Sequence, residues 1–375
     1  MIQKQITNKE VKKNNRNHIF RYINKSDITS NPDISYALKM SLPTVTQNTK
    51  ELIAGGLVVE MGELQSTGGR KAKALTVASN VKQAIGLDIT RNHVSVVLTN
   101  LRGELLNYDR IFQPFDQSET YYCKVNDILE AFLEKNQVRR ERILGIGISI
   151  PGIVDLDKKK ITFSHVLNIE SIPFASISRF FDFPCFFLKE SNAGAYAEGI
   201  YAEEPQRFFY LSLSNTVGGA IFDQGELIQG KNYRCGEVGH MTLIPEGETC
   251  YCGKKGCLDA YCSGRHLTQM TDGDMRRFFL KLEQGQKEYV QLWEKYTSYL
   301  AAALNNIHMV LDCDIVIGGY VGGFIEKHMQ ALYEKVEKRN IFTEEEMFVK
   351  PCAYKFEAAA LGAALSIIED FIDQI

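Results

Sequence analysis

No apolar run in this chain approaches the roughly 20 residues that span a bilayer as a helix, so a helical membrane span is excluded and no membrane partner is expected. The opening stretch MIQKQITNKEVKKNNRN is polar and basic, without the apolar core of a secretory signal. A soluble, cytoplasmic protein is the expectation. Net charge is also in short supply, at a formal −3, which excludes a uniformly basic or acidic chain. An even cysteine set is missing too: nine thiols without a secretory signal argue against a disulfide framework and for reduced cysteines, some of them metal ligands. What remains is a 375-residue chain, 45% hydrophobic, long enough for two or three domains.

The small net charge hides an uneven distribution. Residues 1–77 hold 12 Lys and Arg against 6 Asp and Glu, whereas the rest hold 31 against 40. A basic head on an acidic body is the asymmetry of a chain whose one end meets a polyanion. Within the head, KEVKKNNRNHIFRYINK spaces Val11, Ile19 and Ile23 as a first helix. TSNPDISYALKM follows, with Ser30 or Asn31 as a cap and Pro32 in the first turn. SLPTVTQNTKELIAGG opens on Ser41, turns Leu42, Val45, Leu52 and Ile53 inward, and stops at Gly55-Gly56. Strand-like runs over 57–61 and 72–77 then flank a Gly-rich tip. Helix, turn, helix and wing over residues 1–78 predict a winged helix-turn-helix DNA-binding domain. Its reading helix offers Thr44, Thr46, Gln47, Asn48 and Lys50 to base edges. Arg70 and Lys71 at the wing suit phosphates or a minor groove.

From residue 79 the texture changes to short apolar strands. VKQAIGLDIT, NHVSVVLTNLRGELLNYDR and RILGIGISIPGIVD surround a helical stretch over 119–134. A similar order returns in FFYLSLSN, VGGAIFDQGELIQG and DIVIGG, with a long helix before the last and a closing helix after it. Two α/β lobes, 79–195 and 196–375, predict an internal duplication with a ligand cleft between them; the second holds the closing helix.

The stretch GHMTLIPEGETCYCGKKGC places His240, Cys250, Cys252 and Cys257 close together in a polar, Gly-rich loop. Three thiolates and one imidazole form a closed four-coordinate set, which suits a structural Zn²⁺ that activates no water.

The same stretch, extended to GEVGHMTLIPEGETCYCGKKGCLDAY, resembles the signature of the ROK family of repressors, open reading frames and sugar kinases. ISIPGIVD, ESNAGAYAEG, VGGAIFDQGELIQG and IVIGGYVGG carry the resemblance through the body, and STGGRKAKALTV extends it into the head, as in the repressor branch. It implies a two-lobed ribonuclease H-like fold of the actin/hexokinase type, a sugar in the cleft, and dimers or tetramers. It also implies that zinc fixes a loop whose Glu237 and His240 face the sugar, with Asp259 standing where the family has Glu. Pro151, Gly152, Ser191 and Asn192 complete the implied sugar site.

Catalysis by such a fold needs a base on the attacking hydroxyl and a cradle for the nucleotide phosphates. Family kinases carry Asp where this chain has Ser191, a poor general base, and neighbouring Glu190 is expected to point elsewhere. GLDITRNHVS keeps Asp88 but sets Thr90 and Arg91 where phosphate-loop glycines would be, and Asn215 replaces a further Gly. The expectation is a sugar-responsive repressor without enzymatic activity: a homodimer or tetramer on operator DNA, released by a small sugar or sugar phosphate. Two other readings remain at this stage, an ATP-dependent sugar kinase with an added head and a constitutive DNA-binding protein with a vestigial pocket.

Overall fold

The computed structural model describes residues 8–63, 72–202, 206–342 and 346–375. Three helices open the chain: α1 (Asn8–Lys25), α2 (Asn31–Leu38) and α3 (Leu42–Ala54). The expected caps form, since Ser30 Oγ accepts from the Asp33 amide and Ser41 Oγ from the Thr44 amide, each satisfying an otherwise orphaned helix N–H. α3 ends at Gly55, and Gly56 (φ 72°) turns the chain toward β1 (Val58–Glu63), antiparallel to β2 (Lys73–Val77). Leu42 departs from its expected burial. It is 46% exposed, because it is the first residue of α3, at the end of the stripe set by Val45 and Leu52.

The body holds two five-stranded sheets built on one plan. In the first, β3 (Gln83–Ile89), β4 (His93–Asn100) and β5 (Leu105–Phe112) form an antiparallel meander. β6 (Ile143–Ile150) and β10 (Cys185–Lys189) add in parallel on the other side of β3, giving the order β10-β6-β3-β4-β5. α4 (Glu119–Lys135) covers one face, and β7 (Ile153–Asp155), β8 (Lys160–Phe163) and β9 (Ile172–Pro173) form a small side sheet leading into α5 (Phe174–Ser178). α6 (Glu190–Gly199) then leads into the second sheet.

There β11 (Arg207–Leu213), β12 (Val217–Asp223) and β13 (Glu226–Leu227) repeat the meander. β14 (Asp314–Gly318) and β15 (Val349–Pro351) repeat the parallel additions, so the order β13-β12-β11-β14-β15 mirrors the first sheet. The expected duplication is therefore visible in topology. α7 (Asp259–Cys262), α8 (Gly264–Thr268), α9 (Met275–Glu283), α10 (Lys287–Leu311), α11 (Gly319–Ile325) and α12 (Met329–Glu337) complete the second lobe.

The closing helix α13 (Ala358–Gln374) overturns one expectation: it packs on the first sheet and along α6, not in the second lobe. Gly86 and Gly147 permit this, since a Cβ at either would stand about 2 Å from the carbonyl oxygen of Ala360 or Ala363. Beyond the sheet, Ala364, Ile367, Ile368 and Ile372 share one core with Ile19, Phe20 and Ile23 of α1. Each buried aliphatic side chain there contributes roughly 1.5–3 kcal/mol. The head is thus packed against the body.

Candidate functional site

The two sheets face a cavity of about 600 Å³. Pro151 and Gly152 border it from the end of β6, Lys189, Glu190 and Ser191 from the β10–α6 junction, and Thr216 to Gly218 from β12. Gly152 (φ 137°) allows its loop to lie on Phe163 and Ser164, where a Cβ would come within 2.4 Å of the Phe163 carbonyl. Five expected sugar contacts, Pro151, Gly152, Ser191, Glu237 and His240, do line this space. Two do not. Asn192 is buried with its amide donated to Gln229 Oε1. Asp259, 1% exposed, sits at the start of α7 and accepts from the Val217 amide at 2.6 Å, so its shorter side chain supports the β12 loop.

Inside the cavity, Ser191 Oγ donates to the Gly219 carbonyl at 2.9 Å. Lys189, which sequence reasoning passed over, is buried, ion-paired with Glu237 and directed at the Cys235 carbonyl. The pair fixes one oxygen of Glu237 and leaves the other available as an acceptor. Tyr251, Phe163, His165 and Arg234 also line the space without having been expected. A signal for Tyr251 existed, since it lies between two candidate metal ligands; Phe163 and His165 carried none.

His240, Cys250, Cys252 and Cys257 converge, with one ligand atom from each lying within 4.8 Å of the others. Cys252 and Cys257 Sγ are 3.8 Å apart, the spacing of two sulfurs each ~2.3 Å from a tetrahedral ion. The donor set therefore fits a metal. His240 Nε2 lies 3.3 Å from the Tyr251 hydroxyl, which joins this loop to the cavity wall.

A second, smaller cavity of about 120 Å³ lies beyond Glu190, lined by Asp88, Thr90, Arg91, Asn215 and Gly319, the segments that would hold a nucleotide in a kinase. The Arg110 guanidinium stacks across it, 4.9 Å from the Tyr320 ring centre and 5.7 Å from that of Phe356. Glu190, expected to point away, lines both cavities and accepts from Ser214 Oγ at 2.8 Å.

Burial, reinforced by Glu190, pushes the Asp88 carboxyl up to about 7, against the opposing hydrogen bond from Ser149 and the charge of Arg110. Burial raises Glu190 as well. A carboxyl with a raised folded pKa contributes full stability only below its unfolded value near ~4, and loses it as pH rises through the folded one. Asp88→Asn is therefore expected to raise the Tm most at about pH 8, with the gain shrinking toward pH 5 and vanishing near pH 4. Thermal unfolding across that range checks it.

In the head, Gln47 and Lys50 are exposed on α3, and Thr44 and Thr46 are half-buried. Asn48 is corrected: it is 3% exposed and donates to the Thr44 carbonyl, because its position falls on the stripe of Val45 and Leu52. Arg70 and Lys71 lie outside the described residues. Glu51, also on α3, accepts from Lys12 at 2.5 Å, Gln47 at 3.0 Å and Arg16 at 3.2 Å, and the Lys12 and Gln47 hydrogen bonds hold its carboxyl down at about 2. Arg16 also donates to the Ile375 carbonyl, and Arg21 pairs with Glu369 and Asp373 of α13. α13 therefore holds α1, and α1 holds α3.

Paired α/β sheets of one plan, with a polar cavity between them and a thiolate–imidazole loop at its wall, define a two-lobed protein of the sugar-kinase type. The chain belongs to the ROK family, whose family model matches residues 84–369. It is similar to the xylose repressor of Bacillus subtilis, with 25% identity over 97% of each chain. It is 26% identical to the DNA-binding transcriptional dual regulator NagC of Escherichia coli, over 77% of this chain and 71% of that one. Among solved structures, a ROK family transcriptional regulator described as a homolog of the E. coli MLC protein superposes with a TM-score of 0.77 at 21% identity, covering 97% of both chains. A ROK hexokinase from Thermus thermophilus covers 78% of this chain and 99% of its own, with a TM-score of 0.62 at 25% identity.

Proposed function

We propose that this chain is a sugar-responsive transcriptional repressor of carbohydrate-utilisation genes, working in the cytoplasm as a homodimer or tetramer. The head is a winged helix-turn-helix that reads operator DNA with α3, and a small sugar in the larger cavity lowers operator affinity. The carrying observation is the unbroken connection from cavity to head: α6 begins at Glu190 and Ser191 in the cavity and packs on α13. α13 in turn grips α1 through Arg16 and Arg21. Gly362 lets α13 meet α6 backbone to backbone, since a Cβ there would stand 1.7 Å from the Ala193 carbonyl, so a shift of α6 is passed on rather than absorbed by side chains. The similarity to repressors along nearly the whole chain supports the reading.

For the sugar to act, it must bind the form that holds DNA poorly more tightly than the form that holds it well; couplings of about 1–3 kcal/mol are usual. His240, Cys250, Cys252 and Cys257 would hold Zn²⁺, whose closed shell supplies a structural tie for the loop and no activated water. Glu237, held by Lys189, and His240 present polar groups to sugar hydroxyls. Gln47→Ala should lower operator affinity about tenfold and relax selectivity at one base pair, and Lys50→Ala, which removes a charge along with a base-edge donor, should also reduce the salt slope by about one. Anisotropy of labelled operator and scrambled DNA across a salt series distinguishes them, and equal losses on both sequences for Gln47→Ala would contradict base reading.

Absence of kinase activity is supported by two features. Ser191 is no carboxylate base and donates its hydroxyl proton to the Gly219 carbonyl, and the side chains of Thr90, Arg91 and Asn215 line the second cavity where glycines would admit phosphates. Restoring the carboxylate by Ser191→Asp should therefore leave sugar-dependent ADP release at background.

A further inference from the structure

We propose that the effector is an uncharged sugar of two rings: a disaccharide, with one ring at the polar end of the larger cavity and the second on an aromatic strip at its wall. The inference rests on the reading of this cavity as the effector site and names the class of ligand that fits it. Size is the first argument. About 600 Å³ falls within the roughly 300–1,000 Å³ of pockets that enclose ligands larger than one sugar ring.

The chemistry of the walls divides the cavity in the same way. Glu190, Ser191 and the Lys189–Glu237 pair gather at the β10–α6 end and offer partners for the hydroxyls of one ring. From His240, next to Glu237, a row of edge-to-face rings follows: Tyr251 and His240 have centres 5.5 Å apart, His165 and Tyr251 5.0 Å, and Phe163 and His165 4.4 Å. All four line the cavity, and Phe163 is 39% exposed beside it. Phe163 ends β8 and His165 lies in the turn that follows it. An aromatic wall beside a few convergent polar groups is the lining that receives the C–H face of a sugar ring while hydroxyls are bound at the edges. The strip also joins the lobes, because Phe163 ends β8 and His165 follows it in the first lobe, whereas His240 and Tyr251 belong to the metal loop of the second. A second ring seated there touches both.

Charge at the β10–α6 end disfavours a phosphorylated ligand: the Lys189 cation is already paired with Glu237, and Glu190 stands beside Ser191, so a phosphate there would meet carboxylate. Arg234 is the cation on the wall that a phosphate would have to reach instead, which the glucose 6-phosphate titration tests. An uncharged disaccharide avoids that repulsion.

The test is calorimetric titration of the full-length chain with cellobiose, maltose, xylobiose and chitobiose, with their monomers glucose, xylose and N-acetylglucosamine, and with glucose 6-phosphate. The expected result is one disaccharide binding at least tenfold tighter than its own monomer. Phe163→Ala should then cost that disaccharide more affinity than the monomer, which separates ring stacking from general damage to the cavity. A monomer binding as tightly as its dimer, or glucose 6-phosphate binding tightest, would overturn the two-ring assignment and leave the sugar-effector reading standing. Binding by none of the set would remove both.

Discussion

Cys257→Ser is expected to weaken sugar binding by one to two orders of magnitude while leaving operator binding in the absence of sugar within about twofold of the native chain. Cys257 is 2% exposed, sits 3.8 Å from Cys252, and pairs through a β-bridge with Thr242, two residues beyond His240. Loss of one thiolate from a closed tetrahedral set frees the segment carrying His240 and Tyr251, both of which line the larger cavity. Disturbing the shell that orients a metal ligand typically costs 10–100-fold, and losing the ligand itself falls at or beyond that range. Operator binding is spared because, among the described residues, the head packs on α13 and the first lobe and not on the metal loop. Calorimetry for sugar, anisotropy for DNA and metal content per chain measure the three quantities. Chelation of metal from the native chain should reproduce the pattern, which guards against a variant that merely folds badly.

The second large effect falls on coupling. Replacing Arg16 and Arg21 together by Ala should bring the sugar-induced change in operator affinity, about 5- to 150-fold at usual couplings, close to onefold. Sugar affinity itself should hold, since neither residue lines a cavity. Arg16 ties Ile375, the residue after α13, to Glu51 of α3, and Arg21 spans Glu369 and Asp373. Glu369 is only 5% exposed, so its pair is the costlier of the two to break. Lys12→Ala is the natural comparison: its bond to Glu51 is exposed and makes no contact with α13, so the sugar response should survive. A sugar response unchanged in the double variant would mean that the signal reaches the head by another route.

Much of this was legible in the residues because the signals were local. Ser30, Ser41 and the Gly55-Gly56 stop marked the head helices within a residue or two, and residue type and spacing alone picked out the four donors, His240, Cys250, Cys252 and Cys257, that the fold brings together. Strict helical spacing would also have turned Asn48 inward, three positions after Val45 and four before Leu52. The placement of α13 was different in kind. AAALGAALSIIEDFI is apolar on most of its circumference, which predicts burial without naming a partner. The partner is named by glycines far away in sequence, at positions 86 and 147, whose role appears only when the backbones meet. Asp259 and the strip from Phe163 to Tyr251 were hidden for the same reason, since a carboxylate that props a loop and one that binds sugar look alike in a sequence. The nucleotide segments could be called degenerate from Thr90, Arg91 and Asn215, but the stacking of Arg110 on Tyr320 across that space depends on how the lobes face each other.

The measurement that tests the central claim most directly is anisotropy of labelled operator DNA from the chain's own upstream region, at fixed salt, titrated with the sugar that calorimetry finds to bind. The account predicts sequence-selective binding that weakens by about 5- to 150-fold as the sugar saturates the cavity. Saturation with sugar and no change in operator affinity would contradict it.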